Sequence, residues 1–277
     1  MNISLLLKTS RPRFWVYLIG PILVALAAGY VVPSAAVYVL IAYATLPANL
    51  LIYGVNDIFD QETDRLNQKK GSYETLLDPK STAMLSFSIV ALNLPFLIAL
   101  AVLLPHASLP WLGLFLVTGI GYSAPPLRAK ARPFLDAATN ILYVALGFTA
   151  YVALSHHQPP LILVLASALW CMAMHAYSAV PDIAADTAAH TSTIATTLGA
   201  RPTILFCGLC YALAGILSYA YIGFFGLAAA GVYLFLMLKS YGVASKPALF
   251  TWYARFPAVN TVLGMLLFFD VIVRHSR

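Results

Sequence analysis

Apolar runs long enough to cross a lipid bilayer follow one another along almost the whole of this chain. A transmembrane helix needs about 20 mostly apolar residues to cross roughly 30 Å of hydrocarbon. With 9% charged residues and a mean hydropathy of +0.84, no stretch remains for a water-soluble domain. The sequence therefore predicts an all-α polytopic membrane protein, a single domain over residues 1–277, with nine transmembrane helices at approximately 14–32, 35–55, 83–104, 109–123, 134–154, 161–180, 203–222, 224–238 and 257–273.

The distribution of Lys and Arg predicts the orientation in the membrane. Nine spans place the two termini on opposite sides, and all but two of the 16 Lys and Arg residues, Arg274 and Arg277, then fall on the side of the amino terminus. Because cytoplasmic loops carry the excess of positive charge, we expect an integral protein of the cell inner membrane with a cytoplasmic amino terminus. This asymmetry and the anionic lipid headgroups account for the net charge of +6, so no nucleic-acid partner is predicted.

Two short acidic clusters each follow a long apolar segment on the predicted cytoplasmic side. The first runs Asn56-Asp57-x-x-Asp60-x-x-x-Asp64 and the second Asp182-x-x-x-Asp186. On a helix, residues at i, i+4 and i+8 lie on nearly the same face, so the oxygen ligands of each cluster are expected to line one wall. These oxygen ligands are too few to surround a cation completely. They suit Mg²⁺, which keeps coordination positions open for water and for phosphate oxygens.

The segment 122–132 is the third element that the sequence singles out. Two prolines, Pro125 and Pro126, end the fourth apolar run, and Arg128, Lys130 and Arg132 follow. Such a loop is able to bring cations to a diphosphate. The alternative is that these are only the positive residues of a tight cytoplasmic turn.

Together these motifs resemble the UbiA superfamily of intramembrane prenyltransferases. The resemblance rests on the first acidic cluster after the second helix, on the Tyr-Ser-x-Pro-Pro-Leu-Arg loop after the fourth, and on the second acidic cluster, followed by Thr-Thr-Leu-Gly at 196–199, after the sixth. It covers essentially the whole chain. It implies a helical bundle around a central cavity, Mg²⁺-dependent transfer of an isoprenyl group from an allylic diphosphate donor, and a lipophilic acceptor that enters from the lipid bilayer.

The resemblance also implies a role for particular residues. The catalytic carboxylates would be Asp60, Asp64, Asp182 and Asp186, and Asn56 and Asp57 would join them as metal ligands. Arg128, Lys130, Lys69 and Lys70 would bind the diphosphate, and Tyr53, Tyr122, Asn140 and Tyr177 would line the cavity. One departure from the family pattern is that residues 187–190 carry no Lys or Arg, so the second cluster is expected to hold the diphosphate less tightly.

Two further segments bear on the acceptor. Residues 10–17 and 135–140 resemble the branch of the superfamily that includes lycopene elongases, which favours a carotenoid such as lycopene. Aromatic or quinone-precursor acceptors of the hydroxybenzoate or dihydroxynaphthoate type are the alternative.

A secondary transporter would also have many helices and a few acidic residues, but its acidic residues should lie near the middle of the spans. A membrane scaffold without catalytic activity would need no acidic cluster.

Overall fold

The structure, a computed structural model, describes residues 3–29, 33–64, 76–244 and 247–275. Within these ranges it contains helices and no β-strand, in agreement with the all-α prediction. The α-helices are α1 (Ile3–Thr9), α2 (Val16–Gly29), α3 (Ala35–Tyr43), α4 (Leu46–Phe59), α5 (Gln61–Asp64), α6 (Thr82–Leu103), α7 (Leu109–Gly121), α8 (Leu135–Ala138), α9 (Leu142–Ser155), α10 (Leu161–Ala179), α11 (Ile183–Ala188), α12 (Ile194–Leu198), α13 (Ala200–Ile222), α14 (Phe224–Gly242), α15 (Ala248–Tyr253) and α16 (Phe256–His275).

Within the described ranges, seven helical segments are long and apolar enough to cross a membrane. They are Ala35–Phe59, Pro79–Leu103, Leu135–Ser155, Leu161–Ala188, Ala200–Ile222, Phe224–Gly242 and Ala248–Arg274. An eighth is obtained if the pair Ile3–Phe14 and Val16–Gly29, bent by 54°, forms one span. The predicted count of nine is not confirmed, because the apolar helix His106–Gly121 is too short to qualify. Large apolar side chains on the surface, such as Phe87 and Val102 at 73% and 79% exposure, require lipid around them.

The chain forms two compact units, and each is described by itself. Unit 1 comprises residues 1–128 and 142–158. Its core includes the fully buried Tyr43, whose ring lies edge-on to Phe115 at 6.0 Å. Helices α2 and α9 approach closely at Gly147, where an added Cβ would lie 2.6 Å from the Cβ of Pro21. Glycine is needed here because any side chain would push the two helices apart.

Unit 2 comprises residues 129–141 and 159–277. The rings of Tyr211 on α13 and Tyr233 on α14 stack with their centroids 4.2 Å apart. Gly223 separates these two helices and has a φ of 56°, a conformation that favours glycine. The break expected at residue 223 is therefore confirmed.

Candidate active site

The first acidic cluster lies at the end of α4 and continues into α5. Backbone N–H groups of Asp60 and Asp64 donate to the carbonyls of Asn56 and Asp60, at 3.0 and 2.7 Å, so the helical register passes through the break between the two helices. Asn56 Nδ2 donates to Asp60 Oδ2 at 2.6 Å, as the i, i+4 spacing predicts. It also donates to Ser123 Oγ at 3.0 Å, which ties the cluster to the segment after α7. The carboxylates of Asp60 and Asp64 are buried.

Asp57 lies in the same cluster but has a different partner. Its Oδ1 accepts a hydrogen bond from Arg11 Nη2 at 3.0 Å, and its side chain is only 1% exposed. The Arg11 guanidinium also lies over the ring of Tyr53, 4.6 Å from its centroid. Asp57 thus holds the amino-terminal segment against α4. The family resemblance implies that Asp57 is a metal ligand and does not predict its contact with Arg11.

An aromatic cluster surrounds the turn of α4 that precedes Asn56. The hydroxyls of Tyr53 and Tyr143 are 3.3 Å apart, and Tyr143 in turn packs against Tyr17, with ring centroids 5.8 Å apart. Phe14 packs against both Tyr17 and Tyr53. Aromatic faces are electron-rich and attract cations, so this cluster is suited to the neighbourhood of positive charge. Tyr53 thus lies one helical turn before Asn56, and its lining of a cavity stays a prediction.

The second acidic cluster follows α10. Helix α10 ends at Ala179, a 3-10 turn runs from Val180 to Asp182, and α11 begins at Ile183. Pro181 at the start of this turn lacks an N–H group, which explains the interruption of the α-helical register. Both Asp182 and Asp186 are half-buried and accessible.

Lys130 is the basic residue that the structure associates with the second cluster. It lies in the 3-10 turn Ala129–Ala131 and is 7% exposed. Burial lowers the pKa of its ammonium group to about 8, and the Asp186 carboxylate opposes this shift. A buried cation near a carboxylate at a helix end is suited to binding an anion. Arg128 in unit 1 is exposed, and Lys69 and Lys70 lie outside the described residues.

The segment after the second cluster is fixed by a helix cap and by a buried carboxylate. The Thr193 hydroxyl accepts from the Thr196 backbone N–H at 3.2 Å, and the Thr193 N–H donates to the Thr196 hydroxyl at 2.8 Å. The next N–H group, of Ile194, donates to Oδ2 of Asp136 at 2.8 Å. The segment 135–140 predicts no role for Asp136 on its own, although a charge inside an apolar span is a signal that could have revealed it.

The other three residues predicted to line the cavity are Tyr122, Asn140 and Tyr177. Tyr122 is half-buried directly after α7. Asn140 is 6% exposed, and its Nδ2 donates to the Asp136 carbonyl at 2.7 Å within the same turn of chain. Tyr177 is fully buried, with its hydroxyl 2.7 Å from Ser240 Oγ and its ring edge-on to Phe256 at 5.1 Å. The structure gives Asn140 and Tyr177 intramolecular partners, and their lining of a cavity stays a prediction.

The donor set fits Mg²⁺ by its chemistry. The candidate ligands are carboxylate and amide oxygens, which hard cations prefer, and Mg²⁺ is usually bound by one or two carboxylates together with water and phosphate oxygens. In the part of the chain that the structure describes, no three His, Cys, Asp or Glu side chains come together as a ligand set.

Comparison with known proteins identifies the family. The model of the UbiA prenyltransferase family matches residues 14–254. The chain belongs to the UbiA prenyltransferase family. Its membership makes it a membrane-embedded prenyltransferase, and the resemblance inferred from the three motifs is confirmed.

Curated relatives and solved structures agree with the UbiA assignment. The chain is 39% identical to a lycopene elongase/hydratase of Haloferax volcanii over 93% of this chain and 85% of the relative. It is 40% identical to a lycopene elongase/hydratase of Halobacterium salinarum over 93% of both chains. A UbiA homolog from Archaeoglobus fulgidus, solved with DMAPP and Mg²⁺, has the same fold with a TM-score of 0.67 at 19% identity, covering 97% of this chain and 99% of that one.

Proposed function

We propose that this prenyltransferase transfers a prenyl group from dimethylallyl diphosphate to the end of a carotenoid such as lycopene. The observation that carries the proposal is the Asn56–Asp60 contact, which places an amide and a carboxylate side by side at the end of α4, within the cluster that is expected to bind Mg²⁺. The names of the two relatives at 39% and 40% identity support a carotenoid acceptor. The ligands of the Archaeoglobus fulgidus structure support an allylic diphosphate donor.

The acidic clusters are proposed to hold Mg²⁺ through Asn56, Asp60 and Asp64 in unit 1 and Asp182 and Asp186 in unit 2. Bound there, Mg²⁺ would neutralise the diphosphate as the leaving group departs. Lys130, as a buried cation, binds further diphosphate oxygens through charge-assisted hydrogen bonds. Asp57 is engaged with Arg11 and is assigned to positioning rather than to the metal.

The remaining groups protect the allylic cation left by the diphosphate. The rings of Tyr53, Tyr143 and Tyr17 offer electron-rich faces one helical turn from Asn56. The apolar helices exclude water, which would otherwise capture the cation before the acceptor carbon attacks it. The acceptor has to be lipophilic, because it reaches this position from the lipid bilayer.

Product analysis tests the proposal directly. Membranes containing the protein are incubated with Mg²⁺, dimethylallyl diphosphate and lycopene, and pigments are analysed by mass spectrometry, with Asp60→Asn and a chelator as controls. The expected product is a carotenoid heavier by one five-carbon unit, absent in both controls. A prenylated hydroxybenzoate or dihydroxynaphthoate in parallel incubations, with no carotenoid product, would replace the acceptor. No Mg²⁺-dependent product from any pair would overturn the proposal.

The cytoplasmic location of the active site is part of the proposal and rests on the distribution of Lys and Arg. The three native cysteines, Cys171, Cys207 and Cys210, are buried, so an introduced cysteine can be labelled without background. In Arg128→Cys, an exposed position, a membrane-impermeant maleimide is expected to react in inverted vesicles and not in intact cells. The opposite pattern would reverse the orientation.

A further inference from the structure

Ser123 is a buried residue at the end of α7 to which the proposed prenyl transfer assigns no role. Its backbone N–H group donates to the Ile120 carbonyl at 3.3 Å, so the residue continues the last turn of the helix. The residue is 1% exposed, and its Oγ accepts a hydrogen bond from Asn56 Nδ2 at 3.0 Å. Because a substrate does not reach this hydroxyl, Ser123 acts on the reaction only through Asn56.

The packing of α4 against α7 brings Asn56 and Ser123 together. One turn earlier, an added Cβ at Gly119 on α7 would lie 3.6 Å from Cγ1 of Ile52 on α4, which is an ordinary van der Waals distance. Asn56 and Ser123 follow these two residues by four positions each, so they lie on nearly the same faces. The hydrogen bond between them is therefore supported by two packed helices.

The Asp60 carboxylate decides the orientation of the Asn56 amide. An ionised carboxylate only accepts hydrogen bonds, so the amide atom 2.6 Å from Asp60 Oδ2 has to be the nitrogen Nδ2. Nδ2 carries two N–H groups, and Ser123 Oγ accepts the second. Both N–H groups are thus engaged, and Oδ1 of Asn56 has no hydrogen-bond partner among the described residues. Oδ1 is the atom that the side chain can offer to a ligand.

We propose that Ser123 is a positioning residue that keeps the Asn56 amide turned so that Oδ1 is offered to Mg²⁺. The inference rests on the proposed function, in which Asn56 belongs to the Mg²⁺ site. Hard cations bind oxygen ligands, so a rotated amide would present its N–H groups to the ion in place of the oxygen. Removing a group that orients a metal ligand typically lowers metal affinity about 10–100-fold.

The alternative is that the Asn56–Ser123 hydrogen bond only joins α4 to α7. That role predicts a loss of stability without a change in metal affinity. Asn56→Asp distinguishes the two roles, because a carboxylate has two equivalent oxygens and either can bind Mg²⁺. Orientation by Ser123 is then no longer needed. The proposal therefore predicts that the effect of Ser123→Ala on metal affinity depends on the residue at position 56.

The test measures how Mg²⁺ supports donor binding in the absence of an acceptor. Purified protein in detergent receives radiolabelled dimethylallyl diphosphate, and the Mg²⁺ concentration for half-maximal binding is determined. The wild type is compared with Ser123→Ala, Asn56→Asp and the double variant. Ser123→Cys, whose sulfur is only a weak acceptor, gives a second variant of similar size. Thermal unfolding of each variant without ligand measures the structural contribution.

Two controls separate the hydroxyl of Ser123 from buried hydroxyls in general. Ser123→Thr keeps the hydroxyl and should retain the Mg²⁺ requirement of the wild type. Thr118→Val removes another buried hydroxyl of α7, which donates to the Leu114 carbonyl of the same helix at 2.6 Å. Thr118→Val should lower stability without changing the Mg²⁺ requirement.

Ser123→Ala is expected to raise the half-saturating Mg²⁺ concentration at least about 10-fold. In the Asn56→Asp background the same substitution should change it much less, so that the two effects are not additive. An unchanged Mg²⁺ requirement in Ser123→Ala overturns the proposal. An equal shift in both backgrounds, or an equal shift in Thr118→Val, also overturns it, because the effect would then not pass through the Asn56 amide.

Product analysis separates failure of this inference from failure of the proposed function. If the wild type forms a prenylated carotenoid with Mg²⁺ and Ser123→Ala binds the donor at the same Mg²⁺ concentration, the function stands and Ser123 has no positioning role. If the wild type binds the donor equally well without Mg²⁺, the proposed metal site fails and the role of Ser123 fails with it.

Discussion

The two acidic clusters present the same type of ligand at the ends of membrane helices, but the protein holds them differently. In the first, Asp57, Asp60 and Asp64 are 1%, 8% and 6% exposed, and Asn56, Ser123 and Arg11 bond to members of the cluster. In the second, Asp182 and Asp186 are half-buried after a helix that Pro181 interrupts. The difference indicates that the protein shields the first cluster from solvent, whereas the second is more accessible to a ligand.

The largest expected effect comes from removing one carboxylate from each cluster. Asp60→Ala and Asp182→Ala should each lower product formation by at least about 100-fold, because each removes charge stabilisation of the leaving diphosphate. Asp60→Ala should also destabilise the protein by about 1–3 kcal/mol, since it removes the acceptor of the Asn56 amide. Asp182→Ala should cost less stability than Asp60→Ala, because its carboxylate is half-buried rather than buried. The two variants are compared by product assay and by thermal unfolding in detergent, and equal stability losses would contradict the contrast between the clusters.

The Arg11–Asp57 pair offers the next sharpest test. Asp57→Asn should destabilise the protein by about 3–5 kcal/mol, because it leaves a partly buried guanidinium without its anion. The exposed pair Asp270–Arg274 supplies the control, and Asp270→Asn should cost at most about 1 kcal/mol.

A charge exchange distinguishes positioning by Asp57 from metal binding. The double variant Arg11→Asp with Asp57→Arg should recover part of the stability and of the activity at unchanged Mg²⁺ concentration. If Asp57 were a metal ligand, the exchanged protein would stay inactive and Asp57→Asn would require more Mg²⁺ for half-maximal activity.

The clusters also show what the sequence can and cannot predict. Local periodicity predicted the stacking of Asn56 and Asp60, and the chemistry of Gly predicted the break at Gly223, because both depend on neighbours within a few residues. The partners of Asp57 and Asp136 are 46 and 58 residues away, and no local pattern announces them. The count of nine spans is not confirmed, because the helix at the fourth predicted span, His106–Gly121, is shorter than a membrane span requires.

Lys130 and Arg128 extend the contrast to the cations. Lys130→Met should raise the KM for the diphosphate donor about 10-fold or more, since a buried charge-assisted hydrogen bond is lost. Lys130→Arg should retain most of the affinity. Arg128→Gln should change the KM by no more than about threefold, because an exposed ion pair contributes little. The KM of each variant is measured by steady-state kinetics with the donor concentration varied. A larger increase in KM for Arg128→Gln than for Lys130→Met would show that the exposed cation contributes more to diphosphate binding.

The smallest expected effect concerns the segment that follows the second cluster. Thr193→Ala removes the hydroxyl that accepts the Thr196 N–H and should destabilise the protein by about 1 kcal/mol. Thr193→Ser, which keeps the hydroxyl, is the matched control. Asp182 and Asp186 are only half-buried, and the capped segment follows them in the chain. Loss of the Thr193 cap should therefore also raise the Mg²⁺ concentration for half-maximal activity in Thr193→Ala and not in Thr193→Ser. An unchanged Mg²⁺ requirement, at a measurable loss of stability, would show that the accessible second cluster binds the ion without help from this cap.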